Sequence, residues 1–156
     1  MLKKRITALA GGGAFALFIA ALLLWYTPAT ATAGTVTVYK NPSCGCCGDW
    51  IGHMRAAGFE VDVHDVTDLQ TIKTENGVTP QIGSCHTALV DGYVVEGHVP
   101  ADLVQKMLDE KPDIVGLSVP GMVVGSPGME VPGQPPQPYD VIAFDANGAT
   151  AVYAKR

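Results

Sequence analysis

The sequence predicts an α/β fold, and three observations support this prediction. Residues 35–39 and 59–66 are rich in β-branched side chains and alternate in polarity, which is typical of strands. Between them, apolar residues recur at helical spacing: Trp50, Ile51, Met54 and Ala57. Gly58 follows as a helix stop. Cys44 and Cys47, spaced i, i+3, lie between the first strand and this helix.

The next predicted elements are a short helix, a hairpin and a longer helix. Asp68 is a candidate N-cap for a helix that ends near Asn76. The Asp91-Gly92 pair predicts a tight turn between strands over 87–90 and 93–96. A helix over 100–110 has a regular apolar face: Leu103, Val104, Met107 and Leu108. The order β-α-β-α-β-β-α is that of the thioredoxin-like fold, which we expect to occupy residues 34–113.

Residues 114–156 differ in texture and predict a Pro/Gly-rich C-terminal extension. Pro-Gly pairs precede Met122 and Met129, and further prolines keep the chain extended after them. The segments 139–144 and 149–154, joined across Asn147-Gly148, predict a terminal β-hairpin. We expect this extension to pack back on the preceding domain.

The first 33 residues predict a targeting segment. Three basic residues (Lys3, Lys4 and Arg5) precede an apolar run that reaches Tyr26. Ala31 and Ala33 match the small-x-small pattern of a signal-peptidase site, so residues 1–33 are interpreted as a cleaved signal peptide. The alternative is an uncleaved inner-membrane anchor over residues 8–26. Both interpretations place the remaining chain outside the cytoplasm, in the periplasm or an equivalent exported location.

The charge of the exported part excludes some partners. The chain has 15 acidic and 10 basic residues, and three of the basic residues lie in the leader. An acidic surface disfavours nucleic acid and anionic lipid, so contact with a membrane is expected only through an uncleaved N-terminal segment.

All four cysteines lie in the exported part: Cys44, Cys46, Cys47 and Cys85. The first three fall within four residues, where structural disulfides would close almost no loop. Cysteines at a helix N-terminus have lowered pKa values, and the resulting thiolates bind metals or attack disulfides. A redox pair needs two sulfurs, whereas the third sulfur of Cys46 adds a metal ligand. A metal site is therefore favoured.

Three further residues are candidate ligands. In thioredoxin-like folds the loop before the third strand lies against the cysteine motif, so Cys85 and His86 should face it. His86 packed beneath the sheet, or exposed to solvent, is the alternative. Met122 and Met129 lie on predicted loops and carry thioethers, which are soft metal ligands. The alternative is that they pack as hydrophobic side chains between the extension and the core. His53, His98 and His64 are weaker candidates.

Thiolates with thioethers favour Cu(I), and clustered thiolates can bridge more than one ion. Zinc fits less well because adjacent cysteines make a poor tetrahedron, and an iron–sulfur cluster is not expected outside the cytoplasm. Two other hypotheses remain: a thiol–disulfide oxidoreductase that uses Cys44 and Cys47, and an adaptor domain with no chemistry of its own.

Several separated motifs together resemble the CopG-like family of small periplasmic proteins, long described as a domain of unknown function and often tied to copper resistance. The motifs span 44–50, 84–88, 94–100, 119–122 and 125–130. The resemblance implies a thioredoxin-like domain with a C-terminal extension, copper at the cysteine motif and a role in copper tolerance. Sequestration, transfer to another periplasmic copper protein and redox cycling all remain open. One departure is that Val123, where the family pattern has proline, follows Met122.

Overall fold

The computed structural model describes residues 34–156, which form a mixed α/β fold with seven strands and three helices among those residues. The α/β prediction is therefore confirmed. The elements, in chain order, are β1 Val36–Lys40, α1 Gly45–Ala56, β2 Val61–Asp65, α2 Leu69–Glu75, β3 His86–Val90, β4 Tyr93–Glu96, α3 Ala101–Glu110, β5 Gly116–Ser118, β6 Asp140–Phe144 and β7 Thr150–Lys155.

All seven strands described for residues 34–156 belong to one sheet, in the order β2-β1-β3-β4-β5-β6-β7. The pairs β1–β2 and β4–β5 are parallel, and the other four pairs are antiparallel. Because β3 runs against both β1 and β4, the ends of β1 and β4 lie at the same sheet edge as the start of β3. The segments that follow β1 and β4 and precede β3 are thereby brought together.

Local sequence signals produced the expected turns and caps. Asp68 accepts a hydrogen bond from the Thr71 backbone N–H at 3.1 Å and so caps α2. Asp91 and Gly92 both have positive φ, 47° and 84°, as a two-residue hairpin turn between β3 and β4 requires. Gly58, directly beyond α1, has φ of 95°, which is the left-handed geometry of a helix stop.

One strand was not predicted. Residues 114–156 were expected to form a Pro/Gly-rich extension with strands only in its terminal hairpin, but β5 pairs with β4 in parallel register, with Gly116 opposite Val94. A Cβ at Gly116 would clash with the Val94 carbonyl, so only glycine permits this approach. A three-residue strand has no polarity alternation to detect, and its pairing is imposed by tertiary contacts.

The main core lies between one face of the sheet and the helices α1 and α3. Its largest members are fully buried and come from all three elements: Trp50, Met54, Met107, Leu117, Val36, Val38 and Val95. All four residues of the predicted apolar face of α3 are buried. A smaller cluster contains Val78, Ile82, Val94 and Phe144. Since Val94 and Val95 are neighbours on β4, the two clusters lie on opposite faces of the sheet.

The predicted signal peptide or anchor lies outside the described residues. Within residues 34–156, none of the helices has both the length and the apolar character needed to cross a membrane.

Candidate metal centre

The first turn of α1 carries three of the four cysteines. Cys44 is the N-cap residue, with extended backbone, and its N–H donates to the Asn41 carbonyl at 3.0 Å. Cys44 and Cys47 are joined by a disulfide, and Cys46 is free and half-buried. The sulfurs of Cys44 and Cys46 are 3.6 Å apart. The turn after β1 therefore delivers three sulfurs to one helix terminus.

Cys85 brings the fourth sulfur from a second chain segment. It lies immediately before β3, at the sheet edge where β1 ends. Its sulfur is 3.5 Å from that of Cys47. The sulfurs of all four cysteines lie within 4.8 Å of one another, close enough to share a metal ion. The structure thus brings together Cys85 and the cysteine motif as the sequence predicted.

The surroundings of Cys85 disfavour its thiolate form. Burial, reinforced by the neighbouring Cys46 thiol, raises the pKa of Cys85 to about 12. Without metal this residue is therefore a neutral thiol at ordinary pH. A soft cation that binds here has to displace its proton.

His86 is fully buried beside Cys85. Its ring packs against Trp50 with 4.4 Å between centroids, and its Nδ1 is 3.5 Å from the Cys85 sulfur. Burial first, and then His98, hold the pKa of His86 well below its usual range, so the ring is neutral. Its buried Nε2 has no hydrogen-bond partner among the described residues. The ring is buried at the sheet edge, and its uncharged nitrogens lie near the sulfurs as potential metal ligands.

His98 approaches Cys85 more closely than His86 does. Its Nε2 is 2.9 Å from the Cys85 sulfur, and its Nδ1 is 2.8 Å from the Pro127 carbonyl oxygen. Because the carbonyl only accepts, Nδ1 carries the proton and the Nε2 lone pair faces the thiol. Burial is the main cause of a lowered pKa at His98.

Sequence reasoning ranked His98 below His86, although Cys85, His86 and His98 also form a compact group of potential ligands. The available signal was its place just beyond β4, at the edge where β3 begins. Using that signal required the β3–β4 register, in which Thr87 lies opposite Glu96.

The two loop methionines lie in different environments. Met122 is 61% exposed, whereas Met129 is half-buried in a tight loop. In that loop the Gly125 N–H donates to the Met129 carbonyl at 2.9 Å. Pro127, whose carbonyl oxygen accepts a hydrogen bond from His98, lies two residues before Met129. Met129 is therefore more sheltered from solvent than Met122 and lies close in sequence to the residue that contacts His98.

The loop 125–130 packs directly on the first turns of α1. A Cβ on Gly128 would lie 2.5 Å from the Trp50 backbone nitrogen and 2.9 Å from the Cys46 carbonyl oxygen. Glu130 accepts from the Gly128 N–H at 2.9 Å and pairs with His53 Nε2 at 2.9 Å. This loop packs on the turn that carries the cysteines, and its Pro127 carbonyl accepts a hydrogen bond from His98.

Comparisons with known proteins match one family model and two solved structures. A family model described as "Protein of unknown function, DUF411" matches residues 82–129. Two solved structures, named "Copper resistance protein copG" Form 2 and Form 1, are each 44% identical to this chain, with TM-scores of 0.75 and 0.74. Each alignment covers 80% of this chain and 98% of the other. No curated protein matches.

Four cysteines and two histidines lie together at one edge of a mixed α/β sheet. This arrangement places the chain among candidate soft-metal-binding proteins. Within that class, the identity and coverage of the solved structures show the family. The chain belongs to the CopG copper resistance protein family.

Proposed function

We propose that this is an exported copper-binding protein that holds Cu(I) through Cys44, Cys46, Cys47 and Cys85. The observation that carries the proposal is the convergence of four sulfurs within 4.8 Å from two chain segments. Thiolate donors favour Cu(I) over harder ions, and adjacent thiolates can bridge more than one copper. The donor set therefore fits the metal that the family's name implies.

Additional ligands are proposed from the residues around the sulfurs. His86 and His98 supply neutral imidazole nitrogens, and copper accepts imidazole as well as thiolate. Met129 and Met122 are proposed thioether donors, with Met129 favoured by its half-buried position. His98 is already oriented by the Pro127 carbonyl, as metal-binding histidines usually are by an outer partner.

We infer a thioredoxin-like scaffold for residues 34–113, with 114–156 as its extension. Support comes from the strand order β2-β1-β3-β4, from the parallel β1–β2 pair and from cysteines at the start of the helix after β1. The extension adds β5–β7 to this sheet and supplies the loop 125–130 that packs on α1.

We propose a periplasmic location and a role in copper tolerance. The N-terminal targeting pattern supports export, and the two similar structures are named copper resistance proteins. Sequestration, transfer to another periplasmic copper protein and redox cycling are all compatible with a half-buried sulfur cluster.

A second candidate function is thiol–disulfide exchange. It is favoured by the Cys44–Cys47 disulfide and by the third sulfur, Cys85, 3.5 Å from Cys47. An external dithiol would reduce the disulfide with two electrons and two protons, becoming a disulfide itself. The same reduction frees both sulfurs for copper, so the two functions share one chemical step.

The two functions are separated by replacing Cys46. The anaerobically reduced protein is titrated with Cu(I) against a competing chelator, beside Cys46→Ser and Gly45→Ala. Gly45 has no atom within 4 Å of an added Cβ, so its variant alters the same turn without removing a sulfur. We expect Cys46→Ser to lose most of the affinity and Gly45→Ala to retain it.

Full retention of Cu(I) affinity in Cys46→Ser would contradict the proposed site. Disulfide reductase activity that survives in Cys46→Ser, and is lost in Cys44→Ser, would favour the exchange function instead.

A further inference from the structure

A buried ion pair lies behind the candidate metal centre. Glu96, the last residue of β4, is 0% exposed, and Lys73 of α2 is 8% exposed. Their carboxylate and ammonium groups are in direct contact. Desolvating two charges offsets most of their attraction, so such a pair is weak evidence for a stabilising role. Its contacts point to another role.

The Glu96 carboxylate accepts hydrogen bonds from the two residues that flank Cys85 and His86 in the chain. Its Oε1 accepts from the Ser84 backbone N–H at 2.5 Å, and its Oε2 accepts from the Thr87 hydroxyl at 2.7 Å. Lys73 donates to the same Thr87 hydroxyl oxygen at 3.1 Å and to the carboxylate itself. One charged pair thus fixes the chain immediately before and after the residues that face the cysteine motif.

The same carboxylate links this segment to the one that carries His98. Glu96 is two residues before His98, and the intervening Gly97 donates its N–H to the His86 carbonyl at 3.0 Å. A Cβ on Gly97, whose φ is +70°, would lie 2.5 Å from the Ser84 Cβ. The two segments therefore meet at contact distance, and the carboxylate adds a charged side-chain link to the backbone hydrogen bond between them.

We propose that Glu96, charge-paired with Lys73, is a positioning residue that holds Cys85 at its observed distance from Cys47 and His98. This inference rests on the proposed copper function. Charge-assisted hydrogen bonds are shorter and stronger than neutral ones, so a carboxylate fixes the loop more firmly than an amide would. The pair acts on the metal centre through the backbone and does not contact the metal.

The test compares Glu96→Gln with Val141→Ala in the anaerobically reduced full chain. Val141 is fully buried on β6, two strands from β4, so its truncation lowers stability without touching the centre. We expect Glu96→Gln to remain folded by circular dichroism and to weaken Cu(I) binding by about tenfold or more, as supporting residues around metal ligands do. Its thiolate-to-copper absorption should also change, whereas Val141→Ala should match wild type in both.

A second measurement does not depend on copper. In the Cys46→Ser background with the Cys44–Cys47 disulfide intact, Cys85 is the remaining free thiol among the described residues. Adding Glu96→Gln should raise its alkylation rate by about tenfold, the factor that corresponds to losing one charge-assisted hydrogen bond.

Unchanged Cu(I) affinity, absorption and alkylation in Glu96→Gln would overturn the inference, as would an equal loss of affinity in Val141→Ala. Failure of the wild-type protein to bind Cu(I) would instead refute the proposed function, and the alkylation rate would still decide whether Glu96 positions Cys85. If Glu96→Gln does not fold, Lys73→Met/Glu96→Gln, which leaves no charge of the pair behind, is compared in the same way.

Discussion

Replacing Gly128 with alanine should loosen the loop 125–130 from α1 and weaken the metal centre. Gly128 has φ of +82°, and an added Cβ would lie 2.5 Å from the Trp50 backbone nitrogen. The contacting atoms belong to helix backbone, which cannot rotate away as a side chain can. The loop must therefore retreat by about 1 Å to reach ordinary contact distance.

The expected loss in the free energy of unfolding has two parts. A residue with a Cβ at positive φ costs about 1–2 kcal/mol. Retreat of the loop also stretches the bond between Pro127 and His98, now 2.8 Å, and losing it costs about 1 kcal/mol more. Gly133→Ala carries the first part alone, because Gly133 has φ of +80° but no atom within 4 Å of an added Cβ. The difference between the two variants therefore isolates the second part.

Urea unfolding of the metal-free proteins provides the stability comparison. Gly128→Ala should unfold with a free energy about 1 kcal/mol or more below that of Gly133→Ala. A Cu(I) competition titration should show about tenfold weaker binding for Gly128→Ala, because His98 loses its orienting partner. Equal stability and equal Cu(I) affinity in the two variants would refute the reasoning.

Three further predictions address other parts of the structure. In metal-free protein the free energy of unfolding should fall as pH rises above 9.0, the ordinary thiol value, because the folded state keeps a proton on Cys85 up to about 12 that the unfolded chain releases. Urea midpoints at about pH 8 and about pH 10 test this against Cys85→Ser, and an equal fall in the variant would contradict it. Met129→Leu should weaken Cu(I) binding by about tenfold and Met122→Leu much less. Equal Cu(I) affinities in competition titrations of the two variants would show that the Met129 thioether is not a ligand. Trp50→Phe should lower the free energy of unfolding by about 2–4 kcal/mol, because the Val99 carbonyl loses its indole donor and a cavity forms; a loss below about 1 kcal/mol by urea unfolding would contradict this packing.

Local signals explain the elements that the sequence predicted. The helix after β1, its glycine stop, the Asp91-Gly92 turn and the amphipathic helix over 101–110 all depend on residues near one another in the chain. The meeting of Cys85 with the cysteine motif was predicted as well, because the order of strands and helices places the end of β1 beside the start of β3.

The remaining features depend on tertiary register, which no local pattern encodes. β5 forms because Gly116 fits against Val94 of β4, and its three residues carry no alternation. The contact of His98 with Cys85 requires the β3–β4 pairing and the turn at Gly97. In the sequence Glu96 is one more polar residue on a short strand, and only the fold shows it to be buried.

The central claim is that copper is held by all four cysteine sulfurs. The most direct measurement is to protect the anaerobically reduced protein with Cu(I), alkylate it and count the modified cysteines by mass spectrometry. The four cysteine sulfurs grouped within 4.8 Å are all thiols once the Cys44–Cys47 disulfide is reduced, and the account predicts that they become protected together as Cu(I) is added. Cysteines that remain fully alkylated at saturating Cu(I), or protection confined to Cys44 and Cys47, would contradict it.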